Sequence, residues 1–111
     1  MIDYLDAVIE MSKEKQRYFD DYMKYSKLIK QTAEEFLGNA EVILFGSFVE
    51  GRHTMASDID VLIISDNIKD RNEVLLEINK ALGIFHPFEL HLITKKEFGW
   101  YKRFIKDCIR V

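Results

Sequence analysis

The sequence predicts an α/β (α+β) domain: a small mixed sheet of three to four strands, with helices packed against it, behind a long N-terminal helical segment. Three observations predict this. Short apolar runs, EVILF at 41–45 and IDVLII at 59–64, are bounded by polar or Gly-containing segments and read as strands. Apolar residues elsewhere recur at helical spacing. The resulting order is helix, strand, loop, strand, helix, strand, helix, which is the pattern of a sheet covered by helices.

Ile2 to Leu37 contains neither Gly nor Pro. Tyr18/Phe19, Tyr22, Tyr25, Ile29, Ala33 and Phe36/Leu37 form one buried stripe, and Gly38 is a helix-ending C-cap. Ile2, Leu5, Val8 and Ile9 form a second, smaller stripe suited to a partner surface or to homodimerisation. The polar stretch Glu10–Arg17 divides the two, so the segment is one long helix or two with a break near Ser12–Gln16. The tyrosines at 4, 18, 22 and 25 read as packing residues.

Glu41–Phe45 is a buried strand. Residues 46–57 are a loop with one helical turn. Ile59–Ile64 is apolar on both faces, which places it centrally in the sheet. Asp70 and Glu73 are spaced as a capping box ahead of Val74, Leu75, Ile78 and Leu82, and Gly83 stops that helix. Phe88–Ile93 alternates as a strand. His86, before Pro87, is a turn residue. Thr94 and Glu97 make a second capping box, opening a helix with Tyr101, Phe104, Ile105 and Cys108 on its inner side. The whole reads as one domain, 1–111: an N-terminal helical segment 1–37, a core 41–94 and a C-terminal helix 95–111.

Composition narrows the class. With 111 residues, 48% hydrophobic, 13% aromatic and 32% charged, the chain can bury a core and is not predominantly disordered. No apolar run approaches the ~20 residues needed to span a bilayer. Asp3 and Asp6 stand where a signal peptide carries Lys or Arg. The single cysteine, Cys108, excludes an intrachain disulfide and reads as a buried thiol. A cytoplasmic, reduced setting is expected. The net charge of −3 argues against a general nucleic-acid binder. Yet Lys95, Lys96, Lys102, Arg103, Lys106 and Arg110 stand against only Glu97 and Asp107 near the C-terminus. That basic face leaves open a small RNA-binding role.

The chemistry concentrates in 45–63. Gly46-Ser47 follows a strand directly, where glycine lets the backbone turn and outward N–H groups can meet an anion such as a phosphate. Asp58 and Asp60 are two apart at a strand start, which puts both carboxylates on one face. Their repulsion is offset by a hard cation such as Mg²⁺. Glu89 lies inside an apolar strand on the same face as His91. If that strand neighbours 59–64, Glu89 joins Asp58 and Asp60 around a pair of metal ions.

Gly46-Ser47, a spacer ending at Ser57, then Asp58-Ile59-Asp60 and an apolar run resemble the signature of the nucleotidyltransferase superfamily typified by DNA polymerase beta. The likeness is to its smallest, minimal members and covers about residues 41–94. It implies a nucleotidyltransferase fold and nucleotidyl transfer of the EC 2.7.7 type, with ATP or another nucleoside triphosphate as donor and Mg²⁺ in a two-metal site. It implies that Gly46, Ser47, Ser57 and Arg52 hold the nucleotide, that Asp58, Asp60 and Glu89 ligate metal, and that Glu89 is the base. Glu89 stands where many members have Asp, and Phe48 where many have a cation. His91 can assist, and His53 can touch substrate. Larger relatives append an acceptor-binding domain for which 111 residues leave no room, so the acceptor is expected from a second chain. The resemblance implies an antitoxin transferring AMP to a HEPN-type toxin, or one that binds and blocks that toxin without catalysis.

Overall fold

The computed structural model describes residues 3–111, so Ile2 of the first stripe lies outside the described residues. Helix α1 spans Tyr4–Asp20 and α2 Tyr22–Leu37. The Asp3 side chain caps α1 by accepting from the Asp6 N–H at 2.8 Å. The N-terminal segment is therefore two helices, but the break is at Asp21, not near Ser12–Gln16. Glu10–Arg17 is polar yet made of good helix formers, whereas Asp20-Asp21 is a pair of poor ones. Gly38 caps α2, its N–H donating to the Glu34 carbonyl.

The strands are β1 (Glu41–Phe45), β2 (Ile59–Ile64), β3 (Phe88–Ile93) and β4 (Ile109–Arg110), in the order β3-β2-β1-β4. β1 runs antiparallel to both β2 and β4, and β2 runs parallel to β3. A parallel neighbour needs a crossover, and α3 (Arg71–Leu82) supplies it. Asp70 caps α3 by accepting from the Glu73 N–H. Ile59, Val61 and Ile63 of β2 pack with Ile29 and Ala33 of α2 and Val74 and Ile78 of α3 in the main core.

The opposite sheet face carries Ile43, Leu62, Ile64 and Ile93, with Phe98, Tyr101 and Ile105 packed on it. These come from α4 (Lys95–Tyr101), which opens on the expected capping box, and from the chain after it. The C-terminal segment is not one helix. α4 ends at Tyr101, a 3-10 turn follows at Lys102–Phe104, and the chain then joins the sheet as β4. Edge pairing with β1 satisfies backbone groups that a continued helix would leave exposed. Phe104 and Cys108 are consequently exposed rather than buried. The C-terminal basic residues are spread over α4, the 3-10 turn, the following coil and β4, so they do not form one helix face.

Among the described residues, α1 buries side chains only near its C-terminal end. Tyr18 is buried and its hydroxyl donates to the Leu82 carbonyl at 2.5 Å. Phe19 is buried beside Phe48. Toward the N-terminus Tyr4, Leu5, Val8 and Ile9 are exposed, so Tyr4 is not a packing residue. Among the described residues no helix is long and apolar enough to cross a membrane.

Candidate active site

β1 ends where β2 and β3 begin, so one end of the sheet gathers the loop 46–58 and the first residues of two strands. The register pairs Phe45 with Asp60 and Asp60 with Glu89. Asp60, Glu89 and His91 offer ligand atoms that all lie within 4.8 Å of one another. Parallel strands in register place side chains of the same parity on one face, which is why a residue of β2 meets two of β3. His91 Nε2 is 3.7 Å from Glu89 Oε1. β3 is an edge strand, which leaves Glu89 exposed while Asp60 is half-buried.

Burial pushes the Asp60 carboxyl up to about 6. A hydrogen bond shared with Glu89 and the negative charges of Glu89 and Asp58 push in the same direction. Two carboxylates pressed together, one of them reluctant to ionise, make a site with surplus negative charge. Hard oxygen donors of this kind suit Mg²⁺, and His91 adds a nitrogen that Mg²⁺ does not require. The donor set therefore fits a divalent cation.

Gly46 turns the chain directly against this pair. Its φ is +84°, and a Cβ built on it would overlap the Asp60 carboxylate oxygen. Only glycine satisfies both conditions. Ser47 is half-buried in the turn that follows, its carbonyl accepting from the Arg52 N–H at 2.9 Å. The Glu50 N–H donates to the Gly46 carbonyl, giving the single helical turn expected in the loop.

The other sequence-derived site residues are placed less centrally. Asp58 is exposed, precedes β2 and stands outside the group of mutually close ligand atoms. Its charge still reaches Asp60 and His86. The Arg52 side chain is exposed and pairs with Glu50 at 3.0 Å. Ser57 Oγ accepts from the Thr54 N–H at 3.0 Å, closing a turn. His86 is the turn residue expected: Nδ1 accepts from the Phe88 N–H and Nε2 lies 2.6 Å from Asn79 Oδ1. That arrangement needs one protonated nitrogen, and burial lowers the pKa of the ring in agreement.

Phe48 has a role that sequence reasoning missed. Its ring lies 5.5 Å from Phe19, 5.0 Å from Tyr22 and 4.9 Å from His53. It clamps the loop to the junction of α1 and α2, and His53 faces this cluster. An apolar residue in a polar loop was the available signal.

The family model of the nucleotidyltransferase domain matches residues 25–110. α1 lies outside that match. A crystal structure described as a "putative nucleotidyltransferase" is 43% identical, covers 77% of this chain and 95% of its own, and superposes with a TM-score of 0.65. A second, described as a "putative nucleotidyltransferase" from Sulfolobus solfataricus, is 24% identical over 92% of this chain and 83% of its own, with a TM-score of 0.55. At that identity it shows the fold alone. A comparison with curated proteins gives no match. By the family match over 25–110, the chain belongs to the nucleotidyltransferase domain family.

Proposed function

We propose that this protein is a Mg²⁺-dependent nucleotidyltransferase that moves AMP from ATP to a hydroxyl of a second protein chain. The observation that carries the reading is the in-register Asp60–Glu89 pair with Gly46 against it. Asp60 and Glu89 are the residues that would hold the cation, with Asp58 at the mouth of the site adding a third carboxylate. When bound, a divalent cation neutralises the triphosphate and stabilises charge as the phosphoryl oxygens separate.

The chain's own groups do the rest. Backbone N–H groups of the turn at Gly46-Ser47 hold phosphate oxygens, with Ser57 and Arg52 of the same loop as further nucleotide contacts. The acceptor oxygen forms a bond to the α-phosphorus. The bond between that phosphorus and the bridging oxygen to the β-phosphate breaks, and pyrophosphate leaves with the electron pair. The acceptor proton passes to Glu89 Oε1, which lies 3.7 Å from His91 Nε2.

Two features support a protein acceptor. α1 exposes Leu5, Val8 and Ile9, and it lies outside the family match. We infer the antitoxin role implied by the resemblance, with a HEPN-type toxin as acceptor. The free Cys108 thiol fits a reducing, cytoplasmic setting. The test is transfer of label from ATP carrying it at the α-phosphate to the co-expressed toxin. Label at the γ-phosphate should not transfer. Transfer that persists in Asp60→Asn would contradict the reading.

The position of Asp58 outside the ligand group favours a second reading, a non-catalytic antitoxin that blocks its partner by binding. It predicts that Asp58→Ala/Asp60→Ala still neutralises the partner. A folded double variant that fails to neutralise would dismiss it.

A further inference from the structure

The open end of the second sheet face continues sideways from the acidic pair into a run of aromatic rings. His91 Nε2 lies beside Glu89, and the His91 ring is 6.2 Å from that of Tyr101. Tyr101 meets Trp100 edge-on at 5.3 Å, and Trp100 lies 4.9 Å from Phe104. Trp100 is 57% exposed and Phe104 66% exposed. Large apolar side chains this open cost solvation that the fold does not recover.

We propose that His91, Tyr101 and Trp100 form an aromatic wall in which the exposed Trp100 ring offers the face on which the base of the nucleoside triphosphate stacks. The inference rests on the reading of Asp60 and Glu89 as the phosphate and metal end of that site. Every base offers a π face, and stacking on an aromatic side chain supplies affinity without base-specific hydrogen bonds. Charge favours a nucleotide over an apolar protein segment as the occupant. Lys102 and Arg103 follow Tyr101 directly and are exposed, and Lys102 Nζ lies over the Phe98 ring at 5.3 Å. A polyanion suits that rim.

Trp100 is the chain's single tryptophan, so its fluorescence reports on this wall alone. The experiment titrates the full chain with ATP or inorganic tripolyphosphate, each with Mg²⁺, while calorimetry records binding. ATP should quench the fluorescence by about half, and tripolyphosphate, which has no base, should bind without quenching. Trp100→Ala, at an exposed position, should weaken ATP about tenfold and leave tripolyphosphate unchanged. ATP that binds without quenching, or equally well to Trp100→Ala, overturns the stacking wall and leaves the phosphate site standing. Quenching that appears only on adding a partner protein also overturns it, and marks the rings as a protein contact. If neither ligand binds, the wall and the site reading fail together.

Discussion

The backbone of Gly46 and the carboxylate of Asp60 adjoin with no room for a methyl group between them. The end of β1 and the start of β2 are thereby locked into one geometry. Gly46→Ala must both hold a φ near +84° and displace the Asp60 carboxylate. The expected cost is about 1–3 kcal/mol of stability, read as a lower midpoint in urea. Nucleotide binding should fall further than stability does, because the displaced group is the proposed ligand. A variant as stable as the parent would contradict the close approach.

Asp60 makes stability depend on pH in an unusual direction. The folded state holds its proton more tightly than the unfolded chain, with a pKa of about 6 against 3.8. Without metal, this group makes stability fall as pH rises from 3.8 to about 6, and the penalty is complete above that. The shift alone corresponds to about 3 kcal/mol. Asp60 is partly solvated, so screening reduces this to about 1 kcal/mol. Asp60→Asn should therefore raise Tm by about 4 °C at pH 7 without metal and by nothing at pH 3.5. Thermal melts at the two pH values check this, and a uniform loss of Tm would refute it.

Phe48 holds the loop 46–58 against the α1–α2 junction through Phe19 and Tyr22. Phe48→Ala should cost about 1–2 kcal/mol, the value of a partly buried aromatic contact. Amide hydrogen exchange should rise across residues 46–57 while β2 and β3 stay protected. Unchanged exchange in the loop would show that the clamp is unnecessary.

The exposed face of α1 makes few demands on the fold. Leu5→Asp and Ile9→Asp should change stability by less than about 0.5 kcal/mol. The same variants should lose the complex with the proposed partner chain in size-exclusion chromatography. A complex that survives both would move the partner surface elsewhere.

Much of this arrangement is legible in the residues alone. The bounds of β1, β2, β3 and α3 follow from apolar period, capping residues and glycine stops, all of them local signals. The C-terminus shows where local signals fail. Thr94 and Glu97 correctly start a helix, and the spacing of Tyr101, Phe104, Ile105 and Cys108 fits its continuation. What ends the helix is the free edge of β1, a long-range partner that a two-residue strand does not announce. The site divides in the same way. Gly46, Asp58, Asp60 and Glu89 stand out by type and spacing. The direct pairing of Asp60 with Glu89 depends on strand register, and the overlap of Gly46 with Asp60 depends on how the turn folds back. Asp58 falls outside the ligand group because the strand begins one residue after it, so strand alternation does not govern its side chain.

In the proposed function, Asp60 and Glu89 together bind a divalent cation and a nucleoside triphosphate. Calorimetric titration of ATP with and without Mg²⁺, into the parent chain and into Asp60→Asn, tests it most directly. One ATP should bind per chain with Mg²⁺, with at least tenfold weaker binding without it and the same loss in Asp60→Asn with Mg²⁺ present. ATP binding of equal strength under all three conditions would contradict it.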